Sequence, residues 1–157
     1  MTFTWENYRV ERTEAVETVE KLFDREAMRF TGCDDGFKAF YDYWYNELGG
    51  ENFWCKTVFL NGDLIAVIAL AKAPDGVFTV QELVVSSEKR GRGYGSAILS
   101  ELLSCSREII GQEISIANAV IFPDNTASQR AFQNVGFLCV GTSDEKDATY
   151  YQYRKYY

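Results

Sequence analysis

The sequence predicts a mixed α/β (α+β) domain on three observations. Strand-like segments joined by tight turns fill the middle of the chain, amphipathic helical spacing flanks them, and the second half runs strand, helix, strand. In order, Tyr8 and Val10 fall in a short first strand, and Val16, Val19, Phe23, Ala27 and Phe30 recur at helical spacing until Gly32. A second helix is expected from about Asp35, with Phe37, Phe40, Tyr41, Trp44, Tyr45 and Leu48 as an aromatic stripe and Gly49-Gly50 as its stop. Trp54 to Leu60, a turn at Asn61-Gly62-Asp63, Leu64 to Lys72, a turn near Pro74-Asp75-Gly76, and Val77 to Val85 read as an antiparallel meander. Ile98, Leu99, Leu102, Leu103, Ile109 and Ile110 mark a helix, and Ile114 to Phe122 a strand that must lie parallel to the one before the helix. A helix over Thr126 to Val135, a strand over Phe137 to Val140 and a tyrosine-rich strand over Thr149 to Arg154 complete the chain.

No linker, repeat or low-complexity tract interrupts the 157 residues, so 1–157 is expected to be one domain. A chain of this length buries roughly 70% of its unfolded surface, and the 46% hydrophobic content supplies the core. Met1 to Glu17 lacks the basic and apolar stretches of a signal peptide, and the longest apolar run, Leu64 to Ala71, is too short to span a bilayer. A soluble, cytoplasmic protein without a membrane partner is expected. The formal charge of −7 argues against nucleic-acid binding. Cys33, Cys55, Cys105 and Cys139 are scattered, and there is no histidine, so no metal site is expected and the thiols are read as free. Any general base must therefore be something other than imidazole.

The run Arg90-Gly91-Arg92-Gly93-Tyr94-Gly95-Ser96 lies between an apolar strand and an amphipathic helix. Its glycines let backbone N–H groups turn toward a ligand, and the helix that follows presents unpaired donors and the positive end of its dipole, an arrangement suited to phosphate. Arg90 and Arg92 add charge of the sign a pyrophosphate needs. A Walker A loop would end in Gly-Lys-Ser/Thr, and a dinucleotide fingerprint starting at Gly91 would need glycine where Ser96 stands.

The pattern Arg-x-x-Gly-x-Gly at Arg90, Gly93 and Gly95, directly after the strand, closely resembles the acetyl-CoA loop of the GNAT superfamily of N-acetyltransferases. Asn125, Ser128, Phe132, Gly136 and Phe137 fall at the spacing of that superfamily's later motif. The resemblance implies a central, mostly antiparallel sheet of about six or seven strands, splayed between its fourth and fifth, with about four helices around it. It further implies acetyl-CoA in the splay. Leu83, Val84 and Val85 would pair with pantetheine, the backbone from Arg90 to Ser96 would hold pyrophosphate, and Asn125, Ser128 and Phe132 would approach the cofactor's other side.

Glu82 is the candidate catalytic base. Period-two alternation places it on one face with Phe78, Val80 and Val84, where burial would raise its pKa toward neutrality. Many bacterial members of the superfamily carry a glutamate at this place. Phe132 stands where a tyrosine often protonates the departing thiolate, which leaves Ser128, Tyr150, Tyr151, Tyr153 or water for that step. Asp34, Asp35 and Asp42, mixed with the aromatic stripe, are candidates for binding a cationic acceptor. The expected activity is transfer of acetyl to a primary amine of a small molecule or peptide in a ternary complex, by a monomer or homodimer. A CoA-binding sensor or docking module without turnover is the alternative.

Overall fold

The computed structural model describes residues 2–143 and 148–154; the remainder of the predicted 1–157 domain lies outside the described residues. The strands are β1 (Thr4–Asn7), β2 (Phe53–Leu60), β3 (Asp63–Lys72), β4 (Phe78–Val85), β5 (Ile116–Ile121), β6 (Leu138–Ser143) and β7 (Ala148–Arg154). The helices are α1 (Thr13–Glu20), α2 (Arg25–Phe30), α3 (Phe37–Leu48), α4 (Tyr94–Ser104), α5 (Ser106–Ile110) and α6 (Thr126–Asn134). All seven strands join one sheet in the order β1-β2-β3-β4-β5-β7-β6, antiparallel except for the β4-β5 pair.

The predicted meander holds in order, and each of its two ladders contains one register shift. Asn61 and Gly62 both take positive φ, 52° and 85°, as the two-residue turn between β2 and β3 requires. Strand β3 is buried on both faces and divides the core by parity. Ala66, Ile68 and Leu70 pack with Ile98, Leu99 and Leu102 of α4, whereas Val67, Ala69 and Ala71 pack with Val19, Leu22 and Phe37 of the N-terminal layer. Ile98, Leu99 and Leu102 are wholly buried, each contributing roughly 1.5–3 kcal/mol on transfer from water.

Among the described residues six α-helices stand where about four were expected, because two predicted helices are each split. The run from Val16 to Phe30 breaks after α1, and α2 restarts at Asp24, whose carboxylate accepts the Ala27 N–H at 2.9 Å. The helix predicted through Ile110 breaks at Cys105, between α4 and α5. The first strand also lies earlier than predicted: Tyr8 follows β1, donating its N–H to the Cys55 carbonyl, and Val10 lies beyond it. Helix α3 has no side-chain cap of its own, and Glu20 at the end of α1 supplies one by accepting the N–H groups of Phe37 and Lys38 at 3.1 and 2.9 Å.

Candidate active site

Strands β4 and β5 pair only at Phe78 with Ala117 and Thr79 with Asn118. Beyond them the strands diverge, so the edge of β4 from Val80 to Val85 carries no ladder to β5, as the predicted splay requires. A cavity of about 1140 Å³ runs through this gap. It reaches from the loop before α4, past Leu83, Val84 and Val85, to the residues between α2 and α3, with Asn125, Ser128 and Phe132 on its other wall.

At the loop end, Gly91 and Gly93 adopt φ of 73° and 82°, the left-handed region that glycine enters without strain. A Cβ placed on either would meet no atom within 4 Å, so the space in front of them is open. Gly93 begins α4 without a side-chain cap, and the first turn directs its orphan N–H groups into the same region. Gly95 serves packing instead: its Cα faces Ala131 of α6, where a Cβ would come within 3.5 Å. Of the predicted loop residues, Arg90, Gly91, Gly93, Tyr94, Gly95 and Ser96 line the cavity, and Arg92 is exposed outside it.

The Arg90 side chain corrects the expectation drawn from its charge. Its Nη1 donates to both oxygens of Asp24 at 3.0 and 2.8 Å and its Nε to the Val85 carbonyl at 2.9 Å. The guanidinium is thus spent inside the protein, tying the loop to the start of α2, and the cradle depends on backbone donors. Asp24 responds with a pKa held below the usual carboxylate range, chiefly by its hydrogen bond from Arg90.

Glu82 lines the middle of the cavity, but not on the face predicted. The β3-β4 register shifts between Ala69, opposite Glu82, and Leu70, opposite Val80, leaving Gln81 as a bulge residue. Phe78 and Val80 therefore pack on the α4 side while Val84 packs with the N-terminal layer, and Glu82 turns with Val84 under the segment Thr31-Gly32-Cys33. Loss of hydration raises the Glu82 carboxyl to about 8, with the Gly32 backbone pulling the other way. The buried Cys33 thiol is raised in turn to about 12, first by burial and then by the Glu82 charge.

The aromatic stripe on α3 divides between roles. Phe40 and Trp44 line the cavity with Asp34 and Asp35. Phe37 is fully buried, Tyr41 packs on Tyr8, Asp42 pairs with Lys38 at 2.6 Å, and Tyr45 stacks on Tyr41, so these four lie away from the cavity. The stripe reading missed Phe30, the last residue of α2, and Tyr43, in the middle of α3, both of which line the cavity. Phe132 is buried edge-on against Phe137 at 4.9 Å with its ring at the cavity. Of the four hydroxyls considered for protonating a thiolate, Ser128 lines the cavity and Tyr150, Tyr151 and Tyr153 do not. Asn125 caps α6, its side-chain oxygen accepting the Ser128 N–H at 3.3 Å. No group of His, Cys, Asp and Glu among the described residues has the arrangement of a metal site.

Comparison with known proteins agrees with this geometry. No curated protein sequence matches the chain. Among solved structures, aminoglycoside acetyltransferase AAC(6')-Ib in complex with coenzyme A and kanamycin superposes with a TM-score of 0.75 at 16% identity, covering 98% of this chain and 95% of that one. The Campylobacter jejuni N-acetyltransferase PseH in complex with acetyl coenzyme A gives 0.70 at 15% identity, covering 98% and 99%. A GNAT-family acetyltransferase from Streptococcus pneumoniae gives 0.67 at 15% identity, again covering 98% and 99%. These likenesses establish the fold. The model of the acetyltransferase (GNAT) family matches residues 16–137, which takes in the splayed strands, the glycine loop and α6, and the chain belongs to that family.

Proposed function

We propose that this protein transfers acetyl from acetyl-CoA to a primary amine by direct attack in a ternary complex. The carrying observation is the single cavity that joins the uncapped start of α4, the unpaired edge of β4 and the Glu82 carboxylate. Solved structures of the same fold hold acetyl coenzyme A, or coenzyme A with an aminoglycoside, which supports both the donor and a cationic amine as acceptor.

Acetyl-CoA supplies a thioester carbonyl and a thiolate leaving group whose thiol titrates near ~8.5. On the protein side, backbone N–H groups from Gly91 to Ser96 bind pyrophosphate, with Arg90 contributing through its backbone position, and the free edge of Leu83 to Val85 pairs with the pantetheine amides. Asn125 and Phe132 bound the opposite wall. Glu82 takes the proton from the acceptor ammonium, and the freed nitrogen pair forms the N–C bond as the C–S bond breaks. A β4 N–H near Leu83 or Val84 stabilises the negative oxygen, and the departing sulfur is protonated through Ser128 or water by the proton the nitrogen sheds. Asp34, Asp35, Phe40 and Trp44 surround the acceptor's positive charge.

The test is release of free CoA thiol from acetyl-CoA when kanamycin, ribostamycin, spermidine or a lysine peptide is offered. Turnover that Glu82→Gln stops while CoA binding persists supports the reading. Tight CoA binding with no turnover on any of these amines favours the sensor module.

A further inference from the structure

Helix α2 is six residues long, none of them buried, and Ala27 alone packs against the N-terminal layer. A helix this short does not hold itself, so what fixes it lies at its ends. At the first end, Arg90 binds Asp24 at 2.8 Å and reaches Glu26 at 3.6 Å. At the other, Arg29 Nη2 donates to Asp124 Oδ2 at 3.0 Å, across 95 residues of sequence. Arg90 immediately precedes Gly91 of the loop, and Asp124 immediately precedes Asn125 at the start of α6. Glu26, Ala27 and Phe30 line the cavity from α2, and Phe122 and Asn125 line it from the β5-α6 side. The helix therefore spans from one element of the proposed cofactor site to another. Its two attachments differ. The Arg90 side chain is 25% exposed and also donates to the Val85 and Leu22 carbonyls, whereas Arg29 and Asp124 are 66% and 61% exposed. An ion pair that open to water opposes its own release only weakly.

We propose that α2 is a strap over the cofactor gap, hinged at Arg90, and that the Arg29–Asp124 pair is the clip that releases to let acetyl-CoA in and CoA out. This rests on the reading that the cavity binds acetyl-CoA. Neither Arg29 nor Asp124 lines the cavity, so the pair does not touch what the cavity holds. A clip of that kind sets how often the gap is open and leaves the affinity of the site alone, so entry and exit are slowed by the same factor. The Arg29 guanidinium also lies over the Phe30 ring, 5.1 Å from its centroid, so release carries a lining side chain with it.

The probe is CoA with an etheno-adenine base, whose fluorescence anisotropy in a stopped-flow instrument gives kon and koff on the full-length protein. Arg29→Gln and Asp124→Asn should each raise both rates together, by about two- to fivefold, with Kd within about twofold of wild type. The double variant should be no faster than either single one, because the two side chains share one contact. Unchanged rates in both single variants overturn the clip. Opposite shifts in kon, up in Asp124→Asn and down in Arg29→Gln with koff unchanged, assign the pair to steering of an anionic ligand and overturn it too. A rise in koff alone, with weaker binding, makes the pair a support of the site and not a clip. Each of these results leaves the acetyl-CoA reading standing. Failure of wild type to bind either etheno-adenine CoA or CoA sinks that reading, and the clip with it.

Discussion

Asp24 holds Arg90. The carboxylate that caps α2 receives one guanidinium nitrogen on both oxygens, at 3.0 and 2.8 Å, and so joins a helix on the cavity wall to the first residue of the glycine loop. Two ends of one cavity, separated by 66 residues in sequence, are thus joined by an ionic contact, to which Glu26 of α2 adds a second carboxylate at 3.6 Å from the same nitrogen.

Two substitutions separate the cap from the pair. Asp24→Asn keeps an acceptor for the Ala27 N–H and loses the charge; Asp24→Ala loses both. Because Asp24 is 38% exposed, the pair itself is worth no more than about 1 kcal/mol after solvent screening, whereas loss of the cap adds about 1 kcal/mol. Since the folded pKa lies below the ordinary 3.8, the ionic contribution is complete above that pH and disappears as pH falls below it. Urea unfolding at pH 7 should rank wild type above Asn above Ala, and at pH 3 the first two should converge. An Asn variant equal to wild type at pH 7 would show that the contact contributes nothing to stability.

Glu82 should set the acid limb of the activity profile. A carboxyl raised to about 8 must be ionised to accept a proton, so kcat/KM is expected to climb through an apparent pKa near 8 and then level. Glu82→Gln should remove that limb and lower the rate by about 10²–10⁴. Stability has the opposite sign. The folded state holds the proton more tightly than the unfolded state, so stability is complete below about 4.5 and is lost as pH rises through 8. The Gln variant should therefore gain on wild type in thermal unfolding at pH 9 and match it at pH 4.

Gly93 separates ligand space from backbone strain. At φ 82° an alanine costs about 1–2 kcal/mol, and its methyl enters the open space in front of the loop. Gly62 has nearly the same φ, 85°, and equal room, but lies in the β2-β3 turn outside the cavity. Gly93→Ala and Gly62→Ala should lose similar stability, and the first alone should weaken CoA binding, by about tenfold or more. Equal CoA affinity in the two variants would remove the loop from the phosphate site.

The elements and their order are legible in the sequence because β3 carries an unbroken apolar run, β2 and β4 are rich in β-branched and apolar residues, and α4 carries an apolar stripe. The loop is legible because glycine is the residue that takes the φ values found at 91 and 93. The facing of Glu82 is not, since a one-residue bulge at Gln81 reverses parity and depends on how β3 pairs with β4, which no local pattern encodes. The use of Arg90 is hidden for a related reason. An arginine beside glycines looks like a phosphate ligand, and only the fold brings Asp24 to it. Asp24 itself carries a local signal, an aspartate three residues before the Ala27 N–H it caps, and that signal was enough to break the helix predicted across it.

Ser128 and Phe132 are the positions at which protonation of the sulfur can be tested. Both line the cavity from α6, and Phe132 occupies the place where related enzymes often have tyrosine, its ring buried against Phe137. Ser128 contributes its backbone N–H to the Asn125 cap, so Ser128→Ala removes the hydroxyl without opening the helix. If that hydroxyl carries the proton, kcat should fall about tenfold or more, with binding of acetyl-CoA unchanged, because water replaces it only in part. Phe132→Tyr in the alanine background should then recover rate, since the new hydroxyl enters from the same helix one turn on. Alone it should cost about 1–3 kcal/mol of stability unless it finds a partner in the cavity. Stopped-flow release of thiol from the single and double variants separates the cases: full activity in Ser128→Ala assigns the step to water, and recovery in the double variant assigns it to a hydroxyl on this wall.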